Sequence, residues 1–232
     1  MAEKAAPGLT TEKVAYWYFR LNGYLQMENF IVHPDRGKGG QRTDADLIGV
    51  RFPHRAERLI GDPGNIMSDD VGPLGLQGNW IDVVLVEVKT SGPCKLNGPW
   101  TNQDAENVQR VLAAVGCFPT SRLDEIAESI YDEGIFEDAE QMLRVRLIAL
   151  AATESEELRD EFPRVVQLNW NSVLSFIGNR LYDYRSAKSD CHQWDDEIKT
   201  LQAMMKSSRS GHNFDEDQFI KFGLKALGVH SD

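Results

Sequence analysis

Trp80-Ile81-Asp82-Val83-Val84-Leu85-Val86-Glu87-Val88-Lys89-Thr90 is the stretch on which the fold reading turns. Successive side chains of a strand point to opposite faces, so Val83 and Leu85 share one face and Val84, Val86 and Val88 the other. Apolar residues on both faces are expected of a strand covered on both sides, as in a sheet flanked by helices. The same alternation puts Glu87 and Lys89 on the face of Val83 and Leu85, so two opposite charges close a hydrophobic strand. Burying charge is costly unless the charges are paired or hold a metal, and that cost singles out this pair. Glu197-Ile198-Lys199 repeats the Glu-x-Lys pattern in a polar helical stretch, so the signal lies in the context of the tripeptide.

Upstream of this strand, Thr10 or Thr11 can cap a helix running to about Leu21, with Val14, Trp17, Tyr18 and Leu21 at helical spacing and Gly23 ending it. A short apolar stretch around Phe30 to Val32 leads to the Gly-rich turn Arg36 to Gly40, which lacks the frame of a Walker phosphate loop. Asp46 to Arg51 reads as a strand, and Pro53 to Gly78, rich in Gly, Pro and Asp, reads as a long loop or insertion whose length suggests a functional loop. Downstream, Thr101 is expected to cap a helix to about Val115, and an acidic helix follows Ser121. Leu143 to Leu150 and Val165 to Trp170 read as strands, and Asn171 as the cap of a helix to about Tyr184. Residues 194–206 and 215–227 complete the chain as a helical pair. The expected class is α/β, a mixed central sheet with helices on both faces.

At 232 residues and 41% hydrophobic content, the chain can bury one full core with a small appendage. No apolar run is long enough to cross a bilayer and the first residues lead into no apolar signal region, so a cytoplasmic, non-membrane protein is expected. Cys94, Cys117 and Cys191 stand far apart with no C-x-x-C pair, which argues against a zinc site or a disulfide framework. The five histidines show no ligand spacing. A net charge of −11 argues against gripping nucleic acid over the whole surface, since phosphate contacts require Lys and Arg. Most of that acidity is local, however, with thirteen acids against four bases in residues 122–161. Residues 35–58 carry six bases against four acids, and Lys38, Arg42, Arg51 and Arg55 are the candidate phosphate contacts there.

Asp46 opens the strand that precedes the Glu87 strand. If the two strands pair, one carboxylate from each can converge on a hard, oxygen-seeking cation such as magnesium. Lys89 would then lie beside the ion, where an ammonium can orient or help deprotonate a water and neutralise charge developing on a phosphate. Asp46 before an apolar strand, Glu87-Val88-Lys89 ending the next strong strand and Glu12 on the first helix together resemble the PD-(D/E)XK nuclease superfamily, which includes many restriction endonucleases. The resemblance covers roughly residues 10–185 in element order, and its specific part is four residues. Ala45, not Pro, precedes Asp46, and Pro34-Asp35 lies farther upstream, so the choice among Asp35, Asp44 and Asp46 stays open.

The resemblance implies a restriction-endonuclease-like domain over residues 1–188 with a helical C-terminal extension over 189–232. It implies hydrolysis of a phosphodiester in DNA, less often RNA, with Mg2+ or Mn2+ bound by Asp46, Glu87 and the Val88 carbonyl. Glu12 matches the helix-borne acid of some members, and Gln109 sits where several subfamilies carry a glutamine. The setting it implies first is bacterial restriction or anti-phage defence, with repair next and a homodimer or partner subunit as the assembly. The rival expectation is a non-catalytic member kept as a binding or assembly subunit, which the overall acidity favours. An intact carboxylate pair favours catalysis, because such a pair repels itself without a cation.

Overall fold

A computed structural model describes residues 8–33, 43–59, 62–189 and 192–229. The elements in chain order are α1 (Thr11–Leu21), β1 (Leu25–Val32), β2 (Thr43–Arg51), β3 (Glu57–Leu59), β4 (Asp62–Met67), β5 (Ile81–Val88), α2 (Gly98–Thr101), α3 (Asn107–Val115), α4 (Leu123–Glu133), β6 (Ile135–Asp138), β7 (Leu143–Ala151), α5 (Glu156–Glu161), β8 (Val166–Asn169), α6 (Trp170–Asp183), α7 (Asp196–Ser207), β9 (Arg209–Ser210), β10 (Asn213–Phe214) and α8 (Glu216–Leu227).

Six of these strands form one mixed sheet in the order β1-β2-β5-β7-β6, with β8 also pairing β7. β1, β2 and β5 are antiparallel neighbours, whereas β5 and β7 run parallel and are joined through α2, α3 and α4. One edge of β7 belongs to β5, so β6 and β8 share the other end to end: β6 pairs Leu143 to Arg146 and β8 pairs Ile148 to Ala151. β5 is thus central, and helices cover both of its faces. Val84, Val86 and Val88 enter a core with Trp17 and Phe19 of α1, Ile177 of α6, Leu201 of α7 and Phe219 of α8. Val83 and Leu85 enter a second core with Val108 and Leu112 of α3 and Ile126 and Ile130 of α4. The two-faced alternation of the quoted stretch is therefore realised residue by residue.

The helical pair 196–207 and 216–227 packs into the first of these cores through Ile198, Leu201, Met205 and Phe219, so the core is continuous across residue 188. Asp195 ties the layers together, because its carboxylate caps α7 at Ile198 and accepts the Trp17 indole N–H at 2.8 Å.

Several local expectations are corrected. The stretch 53–78 is not a bare loop: it contains the antiparallel pair β3 and β4, and Leu74 is fully buried. The short apolar stretch around Phe30 to Val32 is the end of a longer strand that begins at Leu25. Asn169, not Asn171, caps α6 by accepting the Ser172 N–H at 2.9 Å. Thr101 does not cap a long helix. It ends the short α2, and α3 starts only after Glu106, whose φ of +50° breaks helical continuity.

The N-terminal end of β5 is held by buried charge. Asp82 accepts from Arg144 Nε at 2.7 Å, from Arg146 Nε at 2.9 Å and Nη2 at 2.7 Å, and from the Tyr24 hydroxyl at 2.5 Å. Arg144 is the cross-strand partner of Asp82, and Arg146 stands two residues on along the same face. The two guanidinium groups hold the Asp82 carboxyl below its ordinary range against the opposing effect of burial. This network anchors β5 to β7 at the end remote from Glu87.

Candidate metal and phosphoryl-transfer site

The site is set up by where the β2–β5 ladder stops. Ile48 pairs Leu85 and Leu47 pairs Val86; one further step would set Asp46 opposite Glu87, on the face of Ile48 and Leu85. The ladder ends there, and the Asp46 Oδ2 accepts the Val88 N–H at 2.7 Å. In an extended strand a residue's N–H and C=O lie on the same side, so the Val88 carbonyl is turned toward the same gap between strands. Across β1, the residue that would face Asp46 is Asn29, which leaves the pairing with φ of +50°. Asp46 thus stands where regular pairing is interrupted on both sides.

Glu87 is 4% exposed, which an unpartnered carboxylate would not tolerate. Its Oε1 accepts from Lys89 Nζ at 2.5 Å and from the Asn97 amide, and its Oε2 accepts the Trp100 indole N–H at 2.7 Å. Room for these donors comes from β7, where the residue paired with Glu87 is Ala149. Asn97 immediately precedes α2 without capping it, and its amide N–H donates to Glu87. Trp100 is buried, as a core anchor should be, and its polar edge finds the carboxylate.

Asp46 is only partly buried, yet its pKa is pushed up to about 6. Burial is the main cause; the Val88 N–H opposes it, Glu87 adds repulsion, Lys89 opposes and Asp44 adds a little more. Two carboxylates and one ammonium leave the gap short of positive charge. Asp44 is exposed and pairs with Ile31 at the outer side of β2, so Asp46 is the acid that the strand geometry brings against β5.

Lys89 is positioned through its main chain. Its N–H donates to the Leu150 carbonyl at 2.8 Å, and its carbonyl accepts the Trp170 indole N–H at 3.0 Å. The next residue, Thr90, meets Thr11 hydroxyl to hydroxyl at 3.2 Å, and Thr11 donates to Glu12 at 3.2 Å. This chain brings the start of α1 to the end of β5. Glu12 itself makes no hydrogen bond or ion pair with Asp46, Glu87 or Lys89 among the described residues. Gln109 is not brought in either, and its Oε1 is buried without a partner.

The expected phosphate contacts divide differently. Lys38 and Arg42, like Asp35, lie outside the described residues. Arg51 and Arg55 are corrected to internal roles. Arg51 is 7% exposed, donates to the Asn22 carbonyl at 3.1 Å and pairs with Asp69 at 2.8 Å. Arg55 pairs with Asp69 and with Glu57, at 2.9 Å for the latter, and lies against Gly23, where any Cβ would collide with its side chain. Arg51 is the cross-strand partner of Asp82, five residues from Glu87 along β5, or about 16 Å at the usual rise. Their charge is spent at the wrong end of the sheet.

Sequence reasoning missed Asn97 and Trp170 as site residues, and missed the bond from Trp100 to Glu87. The available signal was Asn97-Gly98-Pro99-Trp100 following a charged strand end, polar and aromatic donors close in sequence to a carboxylate that needed them.

No protein-family model, curated protein or solved structure matches this chain. Among the described residues no group of three or more His, Cys, Asp or Glu side chains is arranged to hold a metal ion. The donors present at the gap are the Asp46 and Glu87 carboxylates and the Val88 carbonyl, all oxygen, which suits a hard divalent cation completed by water and excludes a soft-metal preference. No helix is long and apolar enough to cross a membrane among the described residues.

Proposed function

We propose that this chain is a metal-dependent endonuclease of the restriction-endonuclease-like, PD-(D/E)XK kind, hydrolysing phosphodiester bonds in nucleic acid, with DNA as the first substrate to test. The observation that carries the reading is Asp46 bonded to the main chain of Val88, beside a buried Glu87 that is itself bonded to Lys89. The donor chemistry and the shortage of positive charge both suit Mg2+ or Mn2+ held by Asp46, Glu87 and the Val88 carbonyl. When bound, such an ion supplies Lewis-acid activation of a phosphoryl oxygen and a more acidic water.

The remaining work falls to the chain's own groups. Asn97 and Trp100 fix the orientation of Glu87, as outer partners of ligating carboxylates do. Lys89 would, with an ion balancing Glu87, be available to orient a water and to neutralise charge gathering on the phosphate. Its backbone anchors at Leu150 and Trp170 keep it at the gap while its side chain exchanges partners. A cytoplasmic restriction or anti-phage defence role, as a homodimer or with a partner subunit, extends this reading.

One observation favours a second reading, a nuclease-like fold kept as a binding or assembly subunit. Glu87 already accepts three donors, so its charge is satisfied without any ion. Incubation of plasmid and of single-stranded DNA with Mg2+ or Mn2+ separates the two. Cutting by the wild type that is lost in folded Asp46→Ala and Lys89→Ala variants supports the enzyme; metal-independent binding without cutting of any substrate supports the subunit.

A further inference from the structure

A second feature lies at the other end of α6. The helix begins beside Lys89, through Trp170, and ends near Tyr184 about 20 Å away at 1.5 Å per residue. There the turn after α6, the last turns of α7 and the start of β9 enclose a pocket of about 460 Å³ lined by Arg185, Lys188, Lys206 and Arg209, with Ser186 and Ser189 among its polar groups. Among the described residues no Asp or Glu lines it.

Lys188 is paired with Glu57 at 2.7 Å. Arg185, Lys206 and Arg209 have no carboxylate within ion-pair distance among the described residues. By contrast Arg51, Arg55, Arg122, Arg144, Arg146, Arg159, Arg164 and Arg180 all do. Part of the pocket's charge answers the C-terminal ends of α6 and α7, where Arg185 donates to the Tyr182 carbonyl at 2.8 Å and Lys206 stands in the last turn of α7; Arg209 donates instead to the Gly211 carbonyl, in the turn between β9 and β10, at 3.2 Å. Two helix ends carry only about half a negative charge each, so roughly two of the three positive charges are left unbalanced. The Arg209 Nε is buried with no partner, so that side chain is incompletely satisfied as it stands. Both guanidinium groups lie against the Tyr182 ring, Arg185 at 4.4 Å and Arg209 at 5.8 Å from its centroid, which holds them as a pair. Three cations with no carboxylate partner among the described residues, in a chain of net charge −11, suit an anion. Paired planar guanidinium forks beside an ammonium suit the tetrahedral, multiply charged oxygens of a phosphate group.

We propose that this pocket binds a phosphate group, carried by a small phosphorylated molecule or by the 5′ end of a nucleic-acid strand. The test is titration of the full chain, in EDTA so that the Asp46 and Glu87 gap plays no part, with pyrophosphate and with a short oligonucleotide bearing or lacking a 5′ phosphate. Saturable binding of pyrophosphate or of the 5′-phosphorylated strand is expected, weakened at least about tenfold in Lys206→Gln/Arg209→Gln and unchanged in Lys221→Gln/Lys225→Gln on α8. Preference for the phosphorylated strand over pyrophosphate identifies the nucleic-acid source, and the reverse identifies the small molecule. Lys206→Gln alone, at an exposed position with no ion pair, gives a folded variant in which the loss should already be measurable. Absence of binding by every probe, equal binding with and without the 5′ phosphate and none of pyrophosphate, or undiminished binding by the folded variants would overturn the proposal.

Discussion

Replacing Asp46 by Asn should stabilise the metal-free protein above neutral pH, although it removes a group placed at the centre of the site. The folded carboxyl has its pKa near 6 against an ordinary 3.8. Between those values the folded chain keeps a proton that the unfolded chain has released, so stability falls as pH rises through that window, and the full penalty is present above it. A shift of about two units corresponds to roughly 3 kcal/mol, and solvent screening of a partly exposed group reduces this to about 1–2 kcal/mol. The Asn side-chain oxygen can still accept the Val88 N–H but cannot ionise. In thermal melts of this chain, about 1–2 kcal/mol corresponds to roughly 2–8 °C. Asp46→Asn should therefore melt that much higher near pH 8, with the gap closing toward about pH 4. Magnesium should largely cancel the difference: at a concentration about tenfold above its dissociation constant it adds about 1.4 kcal/mol to the wild type and nothing to the variant. Identical pH profiles for the two proteins, or an equal magnesium shift in both, would refute the reasoning.

Three further substitutions probe the surroundings. Lys89→Gln should lower single-turnover cleavage by about 10²- to 10⁴-fold while keeping the magnesium-induced rise in melting temperature, which separates a role at the reacting phosphate from one in holding the ion. Trp100→Phe deletes the N–H on Glu87 Oε2 but keeps most of the buried ring, and urea denaturation should read a loss of about 2 kcal/mol. Asp82→Ala strands the buried Arg144 and Arg146, so a loss of about 3–5 kcal/mol, or roughly 6–20 °C, is expected with no change in metal response.

What could be read from the residues follows the range of the forces involved. The stretch Trp80 to Thr90 disclosed a strand buried on both faces because alternation is local, and from it came the flanked sheet, the shared face of Glu87 and Lys89, and the placement of Asp46 once β2 was seen to pair with β5. The restriction-endonuclease-like form of the sheet remains part of the proposal, not of the observed fold. Arg51 and Arg55 were misjudged because their partner, Asp69, comes from a stretch read as loop, and a charge is internal or external only once that loop is folded. The caps at Thr101 and Asn171 failed because helix starts are set by the surrounding fold: Thr101 ends α2, and Asn169 caps α6 directly at the end of β8. The cationic pocket was invisible because Arg185 and the pair Lys206 and Arg209 come from two separate segments whose convergence depends on how α7 packs on α6.

The central claim is that Asp46 and Glu87 share a divalent cation beside Lys89. Crystals grown with manganese and measured for its anomalous signal test it without reference to any substrate. One peak about 2.1 Å from oxygens of Asp46, Glu87 and the Val88 carbonyl, with the Lys89 ammonium moved off Glu87, is the predicted result. A map with no peak in that gap and Lys89 still bonded to Glu87 would contradict it.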